Sequence, residues 1–253
     1  MPPALSYTIW FSQRTGSTLL CHALESTCLA GRPGEHLQGT TQGTTVEDLY
    51  ARHNARTPLE LQSRIWEVAS TPNGVLGLKY GMSEPGFTAV LDAFRQIDGH
   101  DNTRPGIWAN TFPNGRHIFM TRRNKVRLAV SWWKAIQSQE WHRRHGVPPQ
   151  TTDLADRYVP EAIDHLVAKS VMREAGIQEF YAEGKIVPLT IVYEDFVSRY
   201  EQTISDILTW LGLDSSTTTI APPAYERLSD AVSEDWVERF RRDKQVGWKH
   251  RGW

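Results

Sequence analysis

Tyr7-Thr8-Ile9-Trp10-Phe11, followed by Ser12-Gln13-Arg14-Thr15-Gly16-Ser17-Thr18, is the stretch on which the fold turns. The first five residues are rich in β-formers and stop at a serine, which predicts a buried strand. After Gly16, apolar residues at Leu19, Leu20, Ala23, Leu24 and Cys28 recur at helical spacing and predict a helix over 16–29. A strand, a polar loop and a helix in this order aim several backbone N–H groups at one point, where the helix dipole adds partial positive charge. Arg14 adds a full charge. Ser17 and Thr18 add hydroxyls, and Gly16 permits close approach of the backbone. With Ser12, Gln13 and Thr15 completing the loop, the segment predicts an anion cradle. The same residues also suit a Ser/Thr-capped helix start that holds no ligand. The loop is not a Walker A loop, because no lysine follows Gly16.

Working outward, short apolar runs predict strands at 75–80, 116–121 and 186–193. Helical spacing predicts two helices within 46–70, parted near Thr57-Pro58, and others at 87–97, 124–144, 160–183 and 197–211. In the helix 160–183, Ile163, Leu166, Val167, Val171 and Ile177 fall near one face. Residues 98–114, rich in Gly, Pro and Asn, predict a surface loop, and 232–244 an amphipathic tail. Strands alternating with helices predict an α/β fold with a central, mostly parallel sheet and helices on both faces. The 253 residues fit one domain, 1–253, with insertions near 36–57 and 80–114.

Composition narrows the function. Net charge is -1, so any anion site is a local cluster, and neither a general nucleic-acid binder nor a basic membrane-surface protein is expected. No apolar run is long enough to span a bilayer, and the N-terminus lacks the layout of a signal peptide. A cytoplasmic location is expected. Cys21 and Cys28 fall on one face of the predicted first helix, about 10 Å apart, too far to bridge. Buried free thiols are expected. The nine histidines include no His-x-x-x-His pair and there is no Cys-x-x-Cys, so no metal is expected; His142 and His145 lack a nearby partner.

A second basic constellation is Met120-Thr121-Arg122-Arg123-Asn124-Lys125-Val126-Arg127-Leu128-Ala129-Val130-Ser131-Trp132-Trp133. Arg122 and Arg123 stand between a strand and a helix, and Ser131 follows Arg123 by a little over two helical turns. Cations at a helix N-terminus oppose the dipole, a placement that makes sense if an anion sits there. A solvated basic helix start is the plainer alternative. Trp132 and Trp133 face different sides, so at most one lines a pocket.

The loop and the Arg-Arg…Ser-Trp-Trp block together resemble the two nucleotide-binding elements of sulfotransferases. More narrowly, the chain resembles the bacterial trehalose 2-sulfotransferase-like family, related to lipopolysaccharide sulfotransferases. The resemblance rests on residues 12–20, 31–35, 71–79, 121–137 and 233–243. It implies a P-loop-like three-layer fold and a donor, 3′-phosphoadenosine 5′-phosphosulfate (PAPS), with 3′-phosphoadenosine 5′-phosphate (PAP) as product. It implies that residues 12–18 hold the phosphosulfate and that Arg123 and Ser131, helped by Arg122, hold the 3′-phosphate. A carbohydrate, glycolipid or small natural-product acceptor and a homodimer are further implications.

The resemblance also puts the general base at Glu35, after Gly31-Arg32-Pro33-Gly34. The chemical need is independent of it: a sugar hydroxyl is a poor nucleophile until a nearby group takes its proton. His36 departs from the family's usual aromatic residue and is the alternative base. Lys79, at a strand end, either neutralises the leaving phosphate, anchors the substrate, or is an ordinary surface lysine. The rival readings are a P-loop-like ATP-dependent phosphotransferase and a nucleotide-binding protein without catalysis. The basic tail Arg239, Arg241, Arg242, Lys244, Lys249 and Arg251, with Gly247-Trp248-Lys249, resembles a nucleotide-contacting segment only faintly. The run Thr40, Thr41, Gln42, Thr44 and Thr45 suits a polyhydroxyl acceptor or a surface loop.

Overall fold

The computed structural model describes residues 1–39, 44–97, 102–150, 152–154, 156–216 and 218–245. Thr40, Thr41 and Gln42, and Gly247, Trp248, Lys249 and Arg251, lie outside them. The predicted first strand is β1 (Leu5–Phe11), and six of its seven residues are buried. It pairs in parallel with β2 (Val75–Tyr80) on one side and with β3 (Gly115–Thr121) on the other. β3 in turn pairs in parallel with β4 (Leu189–Val192), giving the order β2-β1-β3-β4. The chain passes from β1 to β2 on one side, then back across β1 to β3. The crevice at such a switch point, at the carboxyl ends of the strands, is where open α/β sheets hold ligands. The loop 12–16 leaves β1 at that end.

Both faces of the sheet are covered, as near-continuous apolar strands require. Tyr7, Ile9 and Phe11 of β1 pack with Ile118, Met120 and Ile191. Over them lie α1 (Ser17–Ser26) and α9 (Tyr200–Trp210), through Leu20, Leu24, Ile204 and Leu208. On the other face, Trp10, Leu76, Leu78, Tyr80 and Phe119 pack under α2 (Val46–His53), α3 (Pro58–Ala69), α4 (Gly86–Phe94), α5 (Arg104–Thr111) and α7 (Pro160–Glu183). A third cluster joins α6 (Lys125–Ser138), the first half of α7 and α10 (Ala231–Phe240) through Trp132, Leu166 and Trp236. The expected α/β class with a parallel sheet and helices on both faces is the observed one.

Trp10 is fully buried at the centre of an aromatic cluster, with Tyr80, Phe87, Trp108, Phe180 and Tyr181 around it at 4.7–6.2 Å between ring centroids. Its indole N–H donates to His117 Nδ1 at 2.9 Å, so the polar end of the ring is satisfied.

Several expectations need correction. The loop at 98–114 contains α5: Thr103 caps it by accepting from the Gly106 N–H, and a proline stands in its first turn. The helix expected to reach residue 144 stops at Ser138, with Gln139 left-handed at φ 58°. The helix at 197–211 is two pieces, α8 (Tyr193–Ser198) and α9, broken at Arg199. Of the face expected on α7, Val171 is exposed. α1 ends at Ser26, so Cys28 is not on it; only Cys21 is buried, and Cys28 is exposed. α10 runs on into a π-helical turn, Arg241–Gln245.

Candidate active site

The loop after β1 is built from buried polar groups. Thr15 Oγ1 donates to the Ser12 carbonyl at 2.8 Å and closes the turn. Ser12 and Thr15 are fully buried, and Ser12 Oγ and Gln13 Oε1 have no hydrogen-bond partner among the described residues. Arg14 is left-handed at φ 64° and Gly16 at φ 84°. Gly16 is required twice over: a Cβ there would stand 2.6 Å from Tyr193 Cδ2, and an L-residue is strained at that φ. Gly16 opens α1, and no side chain caps that end. The first N–H groups of α1 are therefore open to an anion.

The second constellation meets this loop. Arg14 Nε donates to Ser131 Oγ at 3.0 Å, and Arg14 Nη1 to the Trp141 carbonyl. Arg122 Nη1 donates to the Arg14 carbonyl at 3.4 Å, and its guanidinium lies 4.6 Å from the centre of the Tyr193 ring. Burial and then the charge of Arg122 lower the Arg14 pKa to about 10. Burial also lowers that of Arg122, against the pull of Tyr193 and Glu194; its Nε has no hydrogen-bond acceptor among the described residues and stands 3.8 Å from Glu194 Oε1. Two neighbouring, partly buried guanidiniums repel; Glu194 offsets part of that charge, and a bound anion would offset the rest. The two arginines border a cavity of about 660 Å³ whose lining includes Arg14, Ser17, Thr18, Arg122, Ser131 and Tyr193.

Arg123 does not line that cavity. It is exposed, and its fork grips the Asp195 carboxylate at 3.0 and 2.5 Å, while its N–H donates to Glu194 at 3.0 Å. Of the two arginines singled out in sequence, Arg122 is the one on the cavity wall with Ser131. Trp132 is buried in the core and Trp133 donates to the Arg157 carbonyl; neither lines the cavity.

Glu35 arrives from the segment after α1. Gly31 passes so close to β2 that a Cβ would stand 2.5 Å from the Gly77 nitrogen, and its φ is 69°. Gly34 then bridges to Leu78, its carbonyl accepting from the Lys79 N–H at 3.0 Å. This register sets Glu35 beside the end of β2. Lys79 is 8% exposed; its Nζ lies 2.7 Å from Glu35 Oε1, donates to Thr18 Oγ1 at 2.9 Å, and sits 4.7 Å from the Phe11 ring centre. A carboxylate, an ammonium and a loop hydroxyl thus form one chain, of which Thr18 lines the cavity and Glu35 and Lys79 do not. His36 is held differently, with Nε2 at 2.9 Å from the Arg32 carbonyl and its ring folded over Gly34; burial lowers its pKa.

Sequence reasoning missed several cavity residues. Tyr193 ends the crossing from β4, at the sheet edge where ligands sit. Trp141 and His142 were assigned to a helix. Tyr225, Glu226 and Arg227 come from a segment without regular structure. In the tail, Arg239 pairs with Asp235 and covers Tyr158, Arg242 pairs with Asp243, and Lys244 with Glu161. Among the described residues there is no group of three or more metal-ligating side chains, and no helix is long and apolar enough to cross a membrane.

The chain is 28% identical to trehalose 2-sulfotransferase of Mycolicibacterium smegmatis, over 95% of this chain and 96% of that one. It is 27% identical to trehalose 2-sulfotransferase of Mycobacterium tuberculosis, over 94% of each. Among solved structures, a sulfotransferase from Alicyclobacillus acidocaldarius aligns over 99% of both chains with TM-score 0.47 and 12% identity. The sulfotransferase domain from the curacin biosynthetic pathway aligns over 99% of both chains with TM-score 0.44 and 15% identity. The family pattern described as Stf0 sulphotransferase matches residues 6–243, nearly the whole chain, and this protein belongs to that family.

Proposed function

We propose that this sulfotransferase moves a sulfuryl group from PAPS to a hydroxyl of a small carbohydrate, with Glu35 as general base. The observation that carries the reading is the chain Glu35–Lys79–Thr18, 2.7 and 2.9 Å in its two links, which joins a carboxylate to the anion loop. Glu35 Oε1 engages Lys79, and Oε2 has no hydrogen-bond donor among the described residues. In the reaction Glu35 takes the proton of the acceptor hydroxyl as its oxygen bonds to sulfur. The bond from sulfur to the phosphate oxygen breaks, and the electron pair stays on the phosphate.

Arg14, the open N–H groups of α1 and the hydroxyls of Ser17 and Thr18 stabilise that growing charge. Lys79, between Glu35 and Thr18, adds a cation on the same side. The protein works by positioning and electrostatics, as in phosphoryl transfer. Arg122 and Ser131 are assigned the 3′-phosphate, since a guanidinium fork matches phosphate oxygens. That group distinguishes PAPS from ATP. The family match and the missing P-loop lysine favour sulfuryl transfer over an ATP-dependent reaction. Similarity to two trehalose 2-sulfotransferases supports a carbohydrate acceptor.

Thermal shift with PAP, AMP and ATP tests the donor. The reading expects PAP to stabilise the protein most. Equal shifts with PAP and AMP would remove the 3′-phosphate assignment.

A further inference from the structure

Beyond α6 the chain does not run on as a helix but lines the cavity with Glu140, Trp141 and His142. Trp141 gives its carbonyl to Arg14, and His142 Nε2 comes to 3.3 Å from Thr18 Oγ1. This segment is pinned in place. Arg144 bridges to Tyr225, the Glu226 N–H donates to the Arg143 carbonyl at 2.9 Å, and Arg143 Nε donates to the Glu226 carboxylate at 2.9 Å. The Tyr225 ring flanks His142 with 5.5 Å between centroids.

The direction of the first hydrogen bond follows from chemistry, and that of the second from the tautomer of His142. Lys79 has only protons to give, so Thr18 Oγ1 must accept from it. The Thr18 hydroxyl proton then points elsewhere, and His142 Nε2 is within reach. For Nε2 to accept, the imidazole must be neutral with its proton on Nδ1. Burial, followed by the charges of Arg14 and Lys79, lowers the His142 pKa to about 4, with Glu35 pulling the other way. With the ring neutral and its proton on Nδ1, Nε2 takes the Thr18 proton and the relay runs from Lys79 through Thr18 to His142; with the proton on Nε2, Thr18 would accept from both neighbours.

We propose that His142 is a positioning residue for the transfer: it holds the Thr18 hydroxyl so that its oxygen faces Lys79, and thereby keeps Lys79 between the anion loop and Glu35. This rests on the roles given to Glu35 and Lys79 above. His142 lines the cavity, and the role proposed for it acts through Thr18.

The test compares His142→Phe, which keeps a ring against Tyr225 but cannot accept, with His142→Gln, whose amide oxygen can. With PAPS and trehalose, the Phe variant is expected to lose about five- to tenfold in kcat, the scale of one hydrogen bond, with the KM for PAPS within about twofold. The Gln variant should recover most of the loss. In a Thr18→Val background, His142→Phe should add nothing further. Full activity in the Phe variant, no rescue by Gln, or multiplying losses in the double variant would overturn the proposal. Nitrogen NMR of the histidine rings decides it without turnover or a variant of His142. Wild-type protein should carry the His142 proton on Nδ1, and Thr18→Val should abolish that preference. A proton on Nε2 in the wild type contradicts the proposal. A wild-type protein that transfers no sulfate would overturn the proposed function instead, and leave the ring measurement to judge His142.

Discussion

Arg14 Nε donates to Ser131 Oγ at 3.0 Å across 117 positions of sequence. One residue belongs to the loop after β1 and the other to the helix after β3. Their contact joins the two basic segments in one cavity wall, with Arg122 beside them. The contact also makes Arg14 a bridge, since its other guanidinium arm holds the Trp141 carbonyl.

Substitution of Glu35 by glutamine removes the proposed proton acceptor and keeps the side chain's size. Turnover should fall at least about a hundredfold, the usual scale of general-base loss, while PAP binding measured by calorimetry is retained. Turnover near the wild-type level would take Glu35 out of the role.

The two adjacent arginines should behave differently. Arg122→Ala removes a cavity guanidinium and should weaken PAP at least about tenfold, as loss of a charge-assisted hydrogen bond does. AMP should be affected less. Arg123→Ala breaks an exposed pair with Asp195 and should cost PAP binding less than Arg122→Ala does. The reverse order would move the 3′-phosphate to Arg123.

Gly16→Ala forces a side chain into the space of Tyr193 and into left-handed backbone. The backbone term alone is worth about 1–2 kcal/mol, and displacement of Tyr193 adds to it. A lower melting temperature together with loss of PAP binding is expected. Wild-type binding would show that Tyr193 moves freely and does not shape the site.

His117 is half-buried with Nδ1 accepting from Trp10, and desolvation lowers its pKa from 6.5 to about 4. The unfolded chain takes up this proton more readily than the folded one. Stability from this group is thus complete above about pH 6.5 and declines as pH falls toward 4, by at most about 3 kcal/mol. His142 acts in the same window and sense. His117→Gln keeps an acceptor for Trp10 and removes the titration, so melting temperature measured against pH should fall less steeply for that variant. An unchanged slope would contradict the assignment.

Much of this was legible in the sequence because it was local. The run 7–11 and the spacing of Leu19, Leu20 and Leu24 fixed a strand, a loop and a helix, and the missing lysine limited the chemistry of the loop. The end of α6 was not legible. Residues 139–144 contain no glycine or proline to stop a helix, and the stop depends on long-range partners: Arg14 on the Trp141 carbonyl, and Glu226 on Arg143. The break at Arg199 and the place of Tyr193 against Gly16 are likewise tertiary. Thr103-Arg104-Pro105 did carry a helix-start signal, outweighed by the Gly, Pro and Asn around it. Which of Arg122 and Arg123 faces the cavity depends on Asp195, more than seventy positions away.

The most direct measurement is transfer of radiolabelled sulfate from PAPS to trehalose and a panel of other sugars and polyols, with wild-type protein and Glu35→Gln side by side. Label should move to at least one polyol with the wild type, no metal being added, and at least about a hundredfold more slowly with the variant. Equal transfer by both proteins, or transfer of phosphate from ATP in place of sulfate from PAPS, would contradict the account.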